Sequence, residues 1–400
     1  MEVLQIQRKA KDALLRLASQ FPIVGITGPR QSGKSTLAKM TFPEKKYLTF
    51  DDKNLREIAK SNPKDFLLAF PDGAIIDEAQ KVPEIFDAVK FYVDNSDFVP
   101  GKFILTGSSQ FKLKENMTDS LAGRVAFLKL LPFSLSELKE NDLLPDIPYE
   151  IIHKGFYPPL HDKSKNFIAQ DWFENYIDSY LDLDVKEQIN VSNLSIFKKF
   201  IQVCATYSGQ MLSMDSISKN LGVSAVTIKH WLSILESSYI IHFMEPDFNN
   251  LGKSLVKTPK LYFIDSGLLC YLLRIETKED LILSPYKGGI VETFAVAELL
   301  KSRFNIAKKS DISYFRDSKG FEVDTIANWK NTFAIEIKST SESEAKLSAN
   351  TRKYLALRND ENCKGAVFYL GDLTAAINGI DYVSWKDWGN WIDYEIDCKR

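Results

Sequence analysis

Residues 28–35 read Gly-Pro-Arg-Gln-Ser-Gly-Lys-Ser. Glycines at 28 and 33 let backbone N–H groups wrap around phosphate oxygens, with Pro29, Arg30, Gln31 and Ser32 completing the loop. Lys34 is then placed to reach β- and γ-phosphates and Ser35 to ligate Mg²⁺ through its hydroxyl, with Thr36 beside them also expected to bind the nucleotide. The pattern predicts a site for a nucleoside triphosphate with magnesium. Ala74-Ile-Ile-Asp77-Glu78 is an apolar run ending in two carboxylates. Asp77 suits holding the magnesium through water, and Glu78 suits orienting or deprotonating an attacking water. The run Lys102–Thr106 leads into Gly107-Ser108-Ser109, where a small polar residue such as Ser108 can bond the γ-phosphate or the water. Arg124 precedes another apolar run, a position from which an arginine can project to a neighbouring subunit and neutralise transition-state charge.

A second constellation lies in the C-terminal third: Glu292, then Tyr314-Phe-Arg316, Glu322-Val-Asp324 and Ala334-Ile-Glu336-Ile-Lys338. Side chains two apart in a strand share a face, so Glu336 and Lys338 point one way while Ile335 and Ile337 enter the core. Glu322 and Asp324 share a face likewise. Glu292, Asp324 and Glu336 are candidates to hold a divalent cation, with Lys338 activating a water for attack on phosphorus. Lys301, Arg303, Lys308 and Lys309 form a local basic cluster that suits a DNA backbone.

Between the two sets, Met214–Leu221 and Ala225–Ser237 read as amphipathic helices joined by Gly222-Val-Ser224, with Ser224 as N-cap. Val226, Ile228, Leu232 and Leu235 are the apolar positions of the second helix. Its open face would offer Thr227, Lys229 and His230 to DNA. A β-branched, aromatic run at Tyr239–Met244 follows, and Asn249–Lys260 carries Lys253, Lys257 and Lys260 without an acid, as a phosphate-gripping wing should. This resembles a winged helix.

The elements that must position these residues follow from periodicity. An amphipathic helix is expected over 4–19 and a strand over Phe21–Thr27. Apolar runs recur at Tyr47–Phe50, Ala74–Ile76, Lys102–Thr106 and Val125–Leu131, with a helical pattern at 81–93. Strands alternating with helices predict a parallel sheet in an α/β domain. After Pro132 the pattern turns helical. From about 285 it mixes helix and strand. The boundaries give 1–132 as nucleotide core, 133–195 as helical lid, 196–265 as winged helix and 266–400 as a further α/β domain.

The chain has 400 residues, 51 basic and 53 acidic, for a net charge of -2. That balance excludes a chain-wide polybasic binder but leaves local basic patches open. Hydrophobic residues at 44% exclude a disordered chain. The four cysteines, at 204, 270, 363 and 398, have no close pair, which excludes a disulfide framework or Cys-based zinc site and suits a reducing cytoplasm. No apolar run reaches the ~18 residues that span a bilayer, and no signal-peptide core opens the chain.

The chain resembles bacterial and archaeal AAA-type ATPases whose C-terminal half carries a domain of formerly unassigned function. The resemblance rests on Gly-Pro-Arg-Gln-Ser-Gly-Lys-Ser, Ile76-Asp-Glu-Ala-Gln80, Leu105-Thr-Gly-Ser-Ser109, Ala122-Gly-Arg124 and Pro259-Lys-Leu-Tyr-Phe-Ile-Asp-Ser-Gly267. It implies ATP as ligand, a ring or partial-ring homo-oligomer, and Arg124 acting in trans. The C-terminal carboxylates and Lys338 are similar to the PD-(D/E)xK nuclease fold, with Asp324 as first acid and Glu336-x-Lys338 as the second part. The expected whole is a multidomain α/β protein: P-loop core, helical lid, winged helix and nuclease-like domain. The expected function is a DNA-binding, Mg²⁺-dependent ATPase acting on duplex or branched DNA. An ATP-gated switch for a protein partner with a silent C-terminal scaffold, and an ATP-regulated DNA nuclease, are the alternatives.

Overall fold

The computed structural model describes residues 6–95, 97–107, 121–186, 194–247 and 257–396. The short apolar runs of the N-terminal third become β1 (Ile23–Thr27), β2 (Lys46–Thr49), β3 (Ala74–Asp77), β4 (Phe103–Gly107) and β5 (Val125–Lys129). They pair in the order β2-β3-β4-β1-β5, all parallel. In β1, β3 and β4 every residue is buried, because helices cover both faces. One face packs on α1 (Ala10–Gln20) and α2 (Lys34–Thr41) through Leu14, Leu37, Val24 and Ile26. The other packs on α3 (Lys53–Ser61), α4 (Pro63–Leu68) and α5 (Glu84–Asp94) through Phe66, Ile85, Val89 and Ile76. The predicted parallel α/β sheet is therefore present. Because all five strands run the same way, the tips of β1, β3 and β4 lie at one edge. The P-loop, Asp77 and Thr106 stand there.

The helices after β5 share one large core with the middle of the chain and with much of the C-terminal region. Phe156 stacks on Phe294 of the long helix Lys287–Asn305 at 5.5 Å, and Phe294 packs on Trp388 at 5.0 Å. Helices Met214–Leu221 and Ala225–Ser237 form as expected. Gly222 takes the left-handed conformation at φ 66°, and Ser224 accepts the Thr227 amide. Strand β6 (Gln210–Met211) precedes these helices, β7 (Ile241–Met244) and β8 (Lys260–Phe263) follow them, and the three form a sheet with β8 in the centre, antiparallel to both neighbours.

The C-terminal sheet is mixed. Its strands are β9 (Ile312–Arg316), β10 (Glu322–Asn328), β11 (Thr332–Lys338), β12 (Cys363–Tyr369), β13 (Ala375–Ile377) and β14 (Ile380–Ser384), in the order β13-β14-β12-β11-β10-β9. The helix Lys287–Asn305 packs on β11, β8 and β5, so it touches all three sheets. Among the described residues no helix is long and apolar enough to cross a membrane.

Candidate nucleotide site and the carboxylate–lysine cluster

The loop Gly28–Gly33 leaves the tip of β1 and enters α2. A Cβ on Gly28 would lie 2.0 Å from the Leu130 carbonyl oxygen, and Gly33 has φ 93°, so both positions require glycine. Lys34 is only 6% exposed. Its Nζ donates to the carbonyls of Gly28 at 3.0 Å and Pro29 at 2.7 Å, folded across the loop whose phosphates it would meet. Ser35 donates its hydroxyl to Asp77 Oδ1 at 2.8 Å. The expected pair of magnesium-holding residues is therefore in contact.

Two side chains that the sequence reading did not single out complete the setting of Asp77. Tyr47 of β2 donates to Oδ2 at 2.6 Å, and Thr106 of β4 donates to Oδ1. Tyr47 carried no motif. Thr106 was visible only as part of Leu-Thr-Gly. Glu78 sits in the left-handed region at φ 52°, ψ 41°, an uncommon conformation for a side chain of this size. Burial pushes its carboxyl above the ordinary range, with the nearby Lys34 ammonium working against that. The Gln80 amide donates to the same carboxylate.

A cavity of about 540 Å³ opens over this edge, lined by Arg30, Gln31, Gly33, Lys34, Ser35, Thr36, Asp77 and Glu78 on one side and by Ile6, Phe133, Pro158 and Pro159 on the other. Its size and donor set fit a nucleotide triphosphate with magnesium: basic and N–H groups at one end, apolar walls at the other. Ser32 lies fully buried in the loop, and its hydroxyl makes no hydrogen bond.

Arg8 is a further residue the sequence reading missed. Buried, it donates to Ser32 O at 2.7 Å, Leu131 O at 2.7 Å and Glu137 Oε1 at 2.9 Å. Glu137 closes a capping box with Ser134 at the start of helix Leu135–Lys139. One buried ion pair thus ties the P-loop to the first helix of the lid.

Arg124 stands immediately before β5, as expected, and makes a two-pronged ion pair with Asp94 of its own chain, at 2.5 and 3.0 Å. Ser108 lies outside the described residues, as does Lys253.

In the helix-turn-helix, Lys229, His230 and Lys257 are exposed. The Thr227 hydroxyl is engaged by Ser224 Oγ at 2.8 Å. Val226 is no core residue: it is 79% exposed. Lys260 is not a wing lysine. It lies in the centre of the sheet, 3% exposed, with its ammonium turned into the C-terminal carboxylates. Lys301 is likewise buried, paired with Glu298 at 2.7 Å, so it does not belong to a DNA-facing basic cluster.

The C-terminal constellation does gather, but around lysines. Lys260 Nζ lies 3.0 Å from Glu292 Oε1 and 2.5 Å from Glu322 Oε1. Tyr262 donates to the same Glu292 oxygen at 2.6 Å. Burial alone would push the Lys260 ammonium down, but Glu292, Glu322 and Asp324 together hold its pKa above the ordinary value. Lys338 pairs with Glu336 and stands 3.6 Å from Asp324 Oδ2, which also accepts the Ile337 amide at 2.8 Å. Glu336 shares a face with Lys338, as strand alternation implies, and that position is buried: it is 2% exposed, and burial plus the Asp324 charge push it up to about 7. The expected metal trio of Glu292, Asp324 and Glu336 is not formed: among the described residues no group of three or more acids, histidines or cysteines is placed to hold a metal ion. Each of the two glutamates is instead taken by a lysine.

Residues 20–139 match the family model described as an AAA domain. This part of the chain is similar to AAA-type P-loop ATPase domains. Residues 147–279 and 287–388 match models described as domains of unknown function, DUF8612 and DUF4143. An uncharacterised protein of Mycobacterium tuberculosis and one of Mycobacterium bovis are each 28% identical over 337 residues, 84% of this chain and 74% of theirs. Among solved structures, the Walker-type ATPase of Pyrococcus abyssi has a TM-score of 0.47 at 15% identity, covering 66% of this chain and 94% of that one. RuvB of Thermotoga maritima has a TM-score of 0.28 at 16% identity, covering 58% and 85%. At such TM-scores the two structures add nothing to what the sheet order of the AAA domain already says.

Proposed function

We propose that this chain is a magnesium-dependent ATPase that works as a ring or partial-ring homo-oligomer, binds duplex or branched DNA, and couples hydrolysis to its remodelling. The observation that carries the ATPase reading is the contact of Ser35 with Asp77 at 2.8 Å, with Glu78 next in the chain and Lys34 across the loop. Ser35 and Asp77 would hold magnesium, which neutralises charge on the phosphates. Lys34 would leave the Gly28 and Pro29 carbonyls for the β- and γ-phosphates. Glu78, next to Asp77 at the tip of β3, would orient and deprotonate the water.

Arg124 supports the oligomeric reading. Half-buried beside β5 and, among the described residues, bonded to Asp94 and the Ala122 carbonyl, it would turn to a neighbour's nucleotide once Asp94 lets go. Four units are proposed on the sequence boundaries: 1–132 for catalysis, 133–195 as helical lid, 196–265 as winged-helix reader and 266–400 as a nuclease-like domain. Lys229, His230 and Lys257, all exposed, support DNA contact by the reader. A second reading, an ATP-gated switch for a protein partner, is favoured by Val226, which puts an apolar side chain on the open face of the same helix.

Phosphate release with and without linear and four-way duplex DNA, at two salt concentrations, separates the readings. The proposal expects turnover that Lys34→Ala abolishes and that DNA stimulates in a salt-sensitive way. Turnover indifferent to every DNA would favour the protein switch. No turnover at all would overturn both.

A further inference from the structure

We infer that Lys260 occupies the place a divalent cation would need in the C-terminal carboxylate set, so that this region is closed to metal and serves as a scaffold, not a cleavage centre. The inference concerns residues 260–338 alone and does not rest on the nucleotide reading. Likeness to a PD-(D/E)xK fold implies a metal held by Glu292, Asp324 and Glu336. The residues present do not fit that demand.

The ammonium comes from outside the C-terminal sheet. Lys260 belongs to β8, which pairs with β6 on one side and β7 on the other, so its backbone is fixed on both edges. From there it bridges Glu292 on the long helix and Glu322 on β10, beside Asp324 and 5.3 Å from the Tyr314 ring. An ion bound between Glu292 and Asp324 would place two positive charges against an ammonium whose side chain is only 4% exposed. Like charges at such range in a poorly screened site repel strongly.

The balance of charge points the same way. Four carboxylates (Glu292, Glu322, Asp324 and Glu336) face three cations: Lys260, Lys338 and Arg316, the last bound to Glu322 at 2.9 Å. Little net charge is left to draw in a divalent ion. Glu336 Oε1 makes no hydrogen bond of ordinary geometry, although the Asn350 side chain stands close enough to favour the charged form. One spare oxygen does not make a coordination shell.

The test uses the full chain without nucleotide. Mn²⁺ binding is followed by the electron paramagnetic resonance signal of free Mn²⁺, and stability by thermal unfolding at matched ionic strength. Wild type is expected to take up no stoichiometric Mn²⁺ at this cluster and to show no Mn²⁺-dependent rise in Tm. Lys260→Met leaves Glu292 and Glu322 without their shared cation. It is expected to unfold at lower temperature, to bind one Mn²⁺ per chain and to recover Tm with Mn²⁺. The added change Glu292→Gln is expected to remove that gain. Stoichiometric Mn²⁺ binding by wild type, lost in Asp324→Asn, would overturn the inference. So would a folded Lys260→Met that gains no metal. If Lys260→Met does not fold, the wild-type titration decides alone, together with a cleavage assay. Linear, nicked and branched DNA left intact by wild type in Mg²⁺ or Mn²⁺ supports closure. Cleavage that Lys338→Ala abolishes contradicts it.

Discussion

Asp77 is held from three directions: by Ser35 from the P-loop helix, Thr106 from β4 and Tyr47 from β2. Ser35 was legible because it adjoins the P-loop glycines, and Asp77 and Glu78 because two carboxylates end the apolar run Ala74–Ile76. Tyr47 was not, since its role depends on the register that sets β2 beside β3, with Thr49 opposite Asp77. The geometry gives Tyr47 a definite task, which is to fix the second carboxylate oxygen so that the first faces Ser35. Loss of one hydrogen bond to a charged group is worth about 1.5 kcal/mol, or roughly tenfold in an equilibrium constant. Tyr47→Phe is therefore expected to raise the Mg²⁺ concentration for half-maximal turnover about tenfold, while nucleotide affinity measured in EDTA stays unchanged. An unchanged Mg²⁺ dependence would show that the hydroxyl serves the strand rather than the ion.

At the scale of elements, the helix Leu135–Lys139 does two jobs with one residue. Glu137 caps its own helix and anchors Arg8, which in turn holds the P-loop carbonyl of Ser32. Neither partner could be found from the sequence, because the pair joins residues 129 apart. Arg8→Ala strands a buried carboxylate and should cost about 3–5 kcal/mol in denaturant unfolding. A loss below about 1 kcal/mol would mean that water or Lys9 replaces the guanidinium. The same lid carries a pH-sensitive group. His161 is buried, its Nε2 bonded to the Gly155 carbonyl at 2.9 Å, and burial with the Lys154 and Lys301 charges depresses it from 6.5 to about 4. Below pH 6.5 the unfolded chain takes up a proton that the folded chain refuses. Stability therefore falls as pH drops from 6.5 to about 4, and levels off below that. The His161 share is of the order of 3 kcal/mol, and His161→Gln should flatten that part of the Tm–pH curve.

For the whole molecule, the N-terminal sheet was readable because strands buried on both faces announce themselves as continuous apolar runs such as Ile23–Thr27. The C-terminal third was harder. Alternation in β11 placed Glu336 and Lys338 on one face but could not say that the face is buried. Nothing local in Asn249–Lys260 marks Lys260 as the cation of carboxylates on another sheet. Charge pattern along the chain speaks for solvent, and only tertiary pairing reverses it. The helix Lys287–Asn305, touching all three sheets, sets that pairing, and through Glu298 it also accepts the Leu135 amide of the lid at 2.7 Å. Buried polar contacts thus join the P-loop, the first helix after β5 and the long helix Lys287–Asn305.

The central claim is that Glu78 activates the water in a site that Lys34, Ser35 and Asp77 assemble. The most direct measurement compares wild type with Glu78→Gln for binding of a fluorescent ATP analogue and for phosphate release. The account predicts equal binding within about threefold and a loss of turnover of about a hundredfold or more. Turnover by Glu78→Gln at the wild-type rate, or a wild type that binds ATP and releases no phosphate, would contradict it.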